Sequence, residues 1–200
     1  ERLYQSCRTI QYKSNWLYSV SISNNYTPIL IRTEYEDDMR YRIVSVISGS
    51  GPSLIIFDIE TGKLLHEINA HELPIYSVII SQPLPDSRTF PVIVSGSEDG
   101  LMKVWDLQTG IEIHSIGENF HTGPVKVVYV YEGLNPILYS VTECTIWMWL
   151  LESGDLIRFI QASNPIHSLH VFRSHEAFQD INNPAIVVAG TSTGLIQSWL

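Results

Sequence analysis

Cysteine and positive charge are both scarce in this 200-residue chain: it has two cysteines, and 12 Lys and Arg against 21 Asp and Glu. Cys7 and Cys144 lie far apart and outside any C-x-x-C spacing, which argues against a disulfide framework, a zinc ribbon or a thioredoxin-type redox motif. A reducing intracellular setting, cytoplasmic or nuclear, is expected. The formal charge of -9 opposes phosphate backbones and anionic headgroups, so direct nucleic-acid binding is not expected. Charged residues make up only 16% of the chain against 44% hydrophobic, which excludes a disordered tail and leaves enough apolar mass for a core. No apolar run approaches the roughly 20 residues of a helical membrane span, and membrane insertion is not expected. A sustained helical period is missing throughout. The single sequon, Asn25-Tyr26-Thr27, is about what chance supplies in a chain of this length.

What the chain does contain is a repeat. Phe57-Asp58-Ile59-Glu60-Thr61-Gly62 recurs as Trp105-Asp106-Leu107-Gln108-Thr109-Gly110 and again as Trp149-Leu150-Leu151-Glu152-Ser153-Gly154. Pro74-Ile75-Tyr76-Ser77-Val78 keeps step with Pro124-Val125-Lys126-Val127-Val128 and Pro165-Ile166-His167-Ser168-Leu169, with a looser copy at Trp16-Leu17-Tyr18-Ser19-Val20. The β-branched runs are short and bounded by Gly, Ser, Asp or Pro, so each unit reads as several strands joined by tight turns. Four strands in a period of roughly 40 to 50 residues is the arithmetic of a propeller blade.

The unit around Ala70-His71, Ser95-Gly96-Ser97-Glu98-Asp99-Gly100 and Lys103-Val104-Trp105-Asp106 resembles the WD40 repeat family. The resemblance extends over nearly the whole chain and implies an all-β, WD40-type β-propeller of four-stranded antiparallel blades. On that template residues 1-12 supply strand d of a preceding blade, 16-69 form blade 1, 70-116 blade 2, 121-160 blade 3 and 164-200 an incomplete blade 4. About four blades are present, as an open arc of a larger ring that the family mostly closes at seven. The resemblance further implies a buried structural tetrad of His71, Ser95, Asp99 and Trp105, in which each polar group satisfies the next. The other blades depart from this pattern. Blade 1 has Phe57 for Trp and no Asp in its Ser48-Gly49-Ser50-Gly51 turn. Blade 3 keeps His121, Ser140 and Trp149 and offers Glu143 at most. Blade 4 keeps Trp199 but has Asn164 near the His position, Ala189 for Ser and Thr193 for Asp. These three blades are expected to rely on apolar packing.

Catalytic chemistry and metal binding are weakly signalled. His71 and Asp99 look like two-thirds of a hydrolase triad, but no Gly-x-Ser-x-Gly elbow presents a nucleophile. His167, His170 and His175 are read as scattered strand and loop histidines, since strand positions three apart face opposite sides. No metal site, cofactor or small-molecule substrate is expected. The acidic stretch Glu34-Tyr35-Glu36-Asp37-Asp38 lies in a long insertion between strands a and b of blade 1 and reads as a solvated loop, with docking of a basic peptide as the sharper alternative. By family analogy the expected function is that of a non-catalytic scaffold binding a protein or peptide through propeller-face loops. The narrow top face nominates Glu72, Leu73, Glu98, His121, Thr122, Glu143 and Asn164. A propeller-fold hydrolase, or the interaction module of a ubiquitin-ligase substrate adaptor, is the alternative.

Overall fold

The structure, a computed structural model, describes residues 16-23, 27-32, 37-59, 61-81, 91-132, 136-172 and 186-199, with backbone alone for 27-32 and 37-42. The expected strand at 1-12, Asn25 and Tyr26 of the sequon, residues 34-36, and His175 lie outside the described residues.

Four antiparallel sheets follow one another along the chain. The first orders β1 (Leu17–Ile22), β4 (Val44–Gly49), β5 (Ser53–Asp58) and β6 (Leu64–Asn69) from inside to outside. The second is β7 (Ile75–Ser81), β8 (Val92–Ser97), β9 (Met102–Asp106) and β10 (Glu112–Ile116). The third is β11 (Val125–Tyr131), β12 (Ile137–Thr142), β13 (Thr145–Leu150) and β14 (Leu156–Gln161). The fourth has three strands among the described residues, β15 (Ile166–Phe172), β16 (Ile186–Thr191) and β17 (Ile196–Trp199). These are propeller blades, with strands a to d running outward in chain order.

One element departs from the sequence reading. The blade-1 insertion is not all loop: β2 (Thr27–Arg32) and β3 (Asp37–Arg42) pair as a two-stranded antiparallel ribbon with Arg32 opposite Asp37. Strand b of blade 1 accordingly begins at Val44, because Tyr41 and Arg42 belong to the ribbon.

Three apolar layers join the blades face to face. Val46, Ile56, Val78, Ile93 and Trp105 fill the first, and Val94, Val104, Val128, Leu138 and Trp149 the second. Tyr139, Met148, Ile166, Val171 and Val187 fill the third. Central strands are therefore buried on both faces, whereas the outer d strands alternate towards solvent. Gly96 allows the closest approach: a Cβ there would sit 2.7 Å from a Val125 methyl. The inner strand of each blade is a sheet edge whose outward N–H groups need acceptors. Hydroxyls of the preceding blade supply them, since Val78 N–H donates to Ser19 Oγ (3.2 Å), Ile80 N–H to Ser21 Oγ (3.0 Å) and Val128 N–H to Ser77 Oγ (3.1 Å).

The c-to-d turns gather at the end of the blades away from the His71 loop. Gly62, Gly110 and Gly154 adopt φ of 70°, 70° and 75° there, and Asp106 Oδ1 accepts from Thr109 N–H at 2.7 Å. A histidine on the preceding outer strand ties down the turns of blades 2 and 3: His66 Nε2 donates to Gln108 O (2.9 Å) and His114 Nε2 to Leu151 O (3.1 Å). Arg158 occupies the matching register on β14, opposite Met148 as His114 is opposite Val104.

The end blades carry apolar positions that are interior elsewhere. Val20 and Ile22 are 63% and 52% exposed, where Val78, Ile80, Val128 and Val130 are at most 8%. At the other end Ile196 is 80% exposed, whereas its register equivalents Leu54, Met102 and Ile146 are all fully buried.

Candidate functional site

The d-to-a and b-to-c loops form one rim. Hydrogen bonds tie the b-to-c turns of blades 1, 2 and 4 to the entry of their own blades: Ser50 N–H to Trp16 O (2.8 Å), Glu98 N–H to Pro74 O (2.9 Å) and Ser192 N–H to Pro165 O (2.8 Å). They also reach the next blade: Ala70 and His71 N–H donate to Pro52 O, both at 3.0 Å, and Ala162 N–H to Cys144 O at 2.7 Å. The rim backbone is thus fixed twice over.

Behind the rim of blade 2 the structure joins Trp105, Ser95, His71 and Asp99. The indole Nε1–H of Trp105 donates to Ser95 Oγ (3.0 Å), Ser95 Oγ lies 2.8 Å from His71 Nε2, and His71 Nδ1 lies 2.9 Å from Asp99 Oδ2. One proton assignment satisfies all four groups: Ser95 donates to Nε2 of a neutral imidazole, whose Nδ1–H donates to the carboxylate. Burial pushes the His71 pKa below 6.5, more than Asp99 raises it. Asp99 Oδ1 also accepts from Leu101 N–H at 2.9 Å, so the same carboxylate shapes the turn.

Blade 3 has a second chain, which corrects the expectation of apolar packing alone. Trp149 Nε1–H donates to Ser140 Oγ (3.0 Å), and Ser140 Oγ lies 3.0 Å from His121 Nε2. No carboxylate ends this chain. His121 Nδ1–H donates to the backbone carbonyl of Gly100 (2.8 Å), in the b-to-c turn of the preceding blade. Trp147 and Trp149 stand edge-on to the His121 ring, and Phe120 is edge-on to both indoles, with Phe120 and Trp149 centroids 5.3 Å apart. The shortened turn at Glu143 and Cys144 leaves Glu143 exposed at φ 47°, its carbonyl accepting from Ile166 N–H (2.8 Å).

Among the described residues blades 1 and 4 show no such chain, for reasons the strand register makes plain. Ser95 pairs with Val78 and Lys103, and the residue paired in the same way in blade 1 is Ile47, between Val20 and Ile55. The Ser48-Gly49-Ser50-Gly51 sequence is therefore one residue out of step with Ser95-Gly96-Ser97, and a shift of one moves a strand residue to the other face. In blade 4 the Ser95 position is Ala189. His71 and His121 each precede the first paired residue of their inner strand by four, and the fourth residue before Ile166 is the buried Ala162 rather than Asn164.

The connectivity Ser95–His71–Asp99 resembles a hydrolase triad, but Ser95 is fully buried and its oxygen is occupied by the Trp105 indole. Elsewhere His167 and His170 both lie on β15, and among the described residues no group of three or more His, Cys, Asp or Glu converges on a metal-sized site. A cavity of about 460 Å³ between the inner strands is lined by Ser21, Ile79, Tyr129, Tyr131 and one carboxylate, Glu132.

The neutral histidines give the fold a pH dependence. Burial lowers the pKa of His71, His121 and His114 from 6.5, while in the unfolded chain each returns to that value. The unfolded chain then binds more protons as pH falls through 6.5, so the stability is fully present above 6.5 and declines below it. The decline approaches at most about 1.4 kcal/mol per histidine per pH unit. We expect a melting temperature constant from pH 7 to 8 and lower by about 5 °C or more at pH 5.5. An unchanged value at pH 5.5 would contradict neutral buried imidazoles.

Of the nominated rim residues, Glu72, Leu73, Glu98, Thr122 and Glu143 are exposed, while His121 and Asn164 are half-buried. His121 is engaged in the blade-3 chain. Asp99 Oδ2 accepts from Glu72 N–H at 3.4 Å, which places Glu72 and Glu98 on one corner. Neither carboxylate has a basic partner among the described residues.

A further set of rim residues lies outside those the sequence nominates. Each inner strand carries a β-bulge at its start, and the bulged residues are Tyr18, Tyr76, Lys126 and His167, one per blade. A bulge re-aims its side chain, and these sit where the inner strands meet the rim. The signal was present in the repeat itself, as the variable third residue of Trp-Leu-Tyr-Ser, Pro-Ile-Tyr-Ser, Pro-Val-Lys-Val and Pro-Ile-His-Ser. Tyr18 and Tyr76 rings lie 5.4 Å apart at 36°, and burial together with the adjacent Glu98 raises the Tyr76 pKa.

Four consecutive antiparallel sheets packed face to face, with His–Ser–Trp chains between them, define a β-propeller of WD40-type blades. No family model matches the chain. It is 30% identical over 162 residues to WD repeat-containing protein pop1 of Schizosaccharomyces pombe, covering 68% of this chain and 19% of that protein. Protein ROOT INITIATION DEFECTIVE 3 of Arabidopsis thaliana is 30% identical over 140 residues, or 64% of this chain and 30% of that one. The computationally designed Ika4 protein has the same fold, with a TM-score of 0.67 at 20% identity over 98% of both chains. The chain belongs to the WD40-repeat family as a divergent member, and it spans less than a third of the length of these two natural relatives.

Proposed function

We propose that this chain is a non-catalytic interaction scaffold, intracellular, which receives a protein or peptide partner on the rim built by the d-to-a and b-to-c loops. The observation that carries the reading is the contrast between the two sides of one corner. Inward, Asp99, His71, Ser95 and Trp105 are saturated by one another; outward, Glu72, Glu98 and the 45%-exposed Leu73 are held on a fixed backbone, and neither carboxylate has a basic partner among the described residues. A rigid polar rim around an apolar contact is suited to binding, because little freedom is lost on association. The buried serine supports the non-catalytic half, since a nucleophile needs access to its substrate.

The test pairs a Glu72→Ala/Glu98→Ala variant with a Glu152→Ala/Ser153→Ala control on the opposite c-to-d turn. Partners recovered with the parent chain should lose at least about tenfold in affinity to the rim variant, a loss of about 1.4 kcal/mol, and none to the control. Equal recovery by both variants would contradict the rim. Turnover abolished by His71→Ala in a folded protein would overturn the non-catalytic reading.

A further inference from the structure

Two tyrosine rings, one exposed and one half-buried, meet a carboxylate at the blade 1–blade 2 corner. The bulges at the starts of β1 and β7 direct Tyr18 and Tyr76 to the same place, where their rings stand 5.4 Å apart at 36°. Tyr18 is 46% exposed and Tyr76 half-buried, so the pair presents ring surface to solvent rather than closing a core. Glu98 is anchored beside them by its own N–H, which donates to Pro74 O two residues before Tyr76 (2.9 Å), and its carboxylate lies close to the Tyr76 phenol. Its charge has no cationic partner among the described residues.

Ring faces are negative and attract a cation lying over them, and a carboxylate at the ring edge adds a charged acceptor. A guanidinium fits this combination better than an ammonium. It is planar, stacks on aromatic faces while its N–H fork reaches a carboxylate, and loses less hydration on contact. We propose that Tyr18, Tyr76 and Glu98 form a seat for an arginine side chain of a peptide partner, with the guanidinium over the tyrosine pair and its N–H edge on Glu98. The seat rests on the rim reading above and names the partner's chemistry. Glu72, on the same corner, extends the negative field towards the rest of a basic segment.

The experiment is a nuclear magnetic resonance titration of the intact chain with N-acetylarginine amide and, separately, N-acetylcitrulline amide, which keeps the shape and removes the charge. The arginine probe should shift the Tyr18 and Tyr76 ring signals and the Glu98 amide saturably, and citrulline should bind at least about fivefold more weakly. Glu98→Gln and Tyr18→Ala should each weaken the arginine probe by about fivefold while the buried Trp105 indole signal stays in place. Equal response to arginine and citrulline, or an arginine response unaltered in both variants, would overturn the seat. Should the arginine probe fail while the Glu72→Ala/Glu98→Ala variant still loses its recovered partners, the partner's chemistry is wrong and the rim stands. Failure of both overturns both.

Discussion

Substituting Trp149 with alanine is expected to cost about 4 kcal/mol, enough to remove most of the stability of a domain of ordinary margin. Trp149 is 1% exposed in the layer between blades 2 and 3, where it meets Phe120, His121 and Trp147. Two losses add: the ring volume that keeps Val94, Val104 and Leu138 in contact, and the indole donor that holds Ser140. Trp149→Phe separates them. It retains most of the apolar area and leaves Ser140 without its donor, for an expected cost of about 1–2 kcal/mol. Urea unfolding of the two variants gives the comparison. Equal costs would mean that the hydrogen bond dominates, and a cost below about 1 kcal/mol for the alanine variant would mean that blades 2 and 3 are not packed as described.

Replacing His71 with leucine should cost about 3 kcal/mol, although leucine is apolar and of similar size. The imidazole is the link between two otherwise unrelated groups. Without it the Asp99 carboxylate, with a side chain only 11% exposed, loses its charge-assisted donor, and Ser95 loses its acceptor. A double-mutant cycle with Asp99→Asn separates this from packing: groups acting as one chain should show a coupling of at least about 1 kcal/mol. Simple additivity would show that the 2.9 Å contact is incidental. Because Asp99 also caps Leu101 N–H, the His71 variant should loosen the turn that carries Glu98, and rim binding should weaken together with stability.

The sequence showed the blades more clearly than it showed their joints. Strand c of blade 2 is legible because Met102-Lys103-Val104-Trp105-Asp106 carries the Trp-Asp pair of the repeat and ends at a turn whose Thr-Gly pair supplies the positive φ. What escaped depends on partners distant in the chain. His121 finds its acceptor in Gly100, a backbone carbonyl of another blade, and a backbone acceptor leaves no trace in residue identity. Ile47 takes the register of Ser95 although the neighbouring Ser-Gly-Ser looks like the better match, because pairing with β1 and β5 sets the face and not the local motif. The β2–β3 ribbon was obscured by Pro28, which reads as a break, and by the acidic run that follows. The four bulged residues were visible as a column of the repeat, but their shared position became meaningful only when the inner strands were seen side by side.

Two His–Ser–Trp chains fix the blades and, through Asp99 and Gly100, the rim. Hydrogen exchange of the tryptophan indole N–H groups tests this most directly, since the described tryptophans serve as internal standards for one another. Trp105 and Trp149, bonded to Ser95 and Ser140, should exchange only on global unfolding, and the 79%-exposed Trp16 within the dead time. Ser140→Ala should release Trp149 alone and leave Trp105 protected. Rapid exchange at both buried indoles in the parent chain, or joint loss of protection in the single variant, would contradict it.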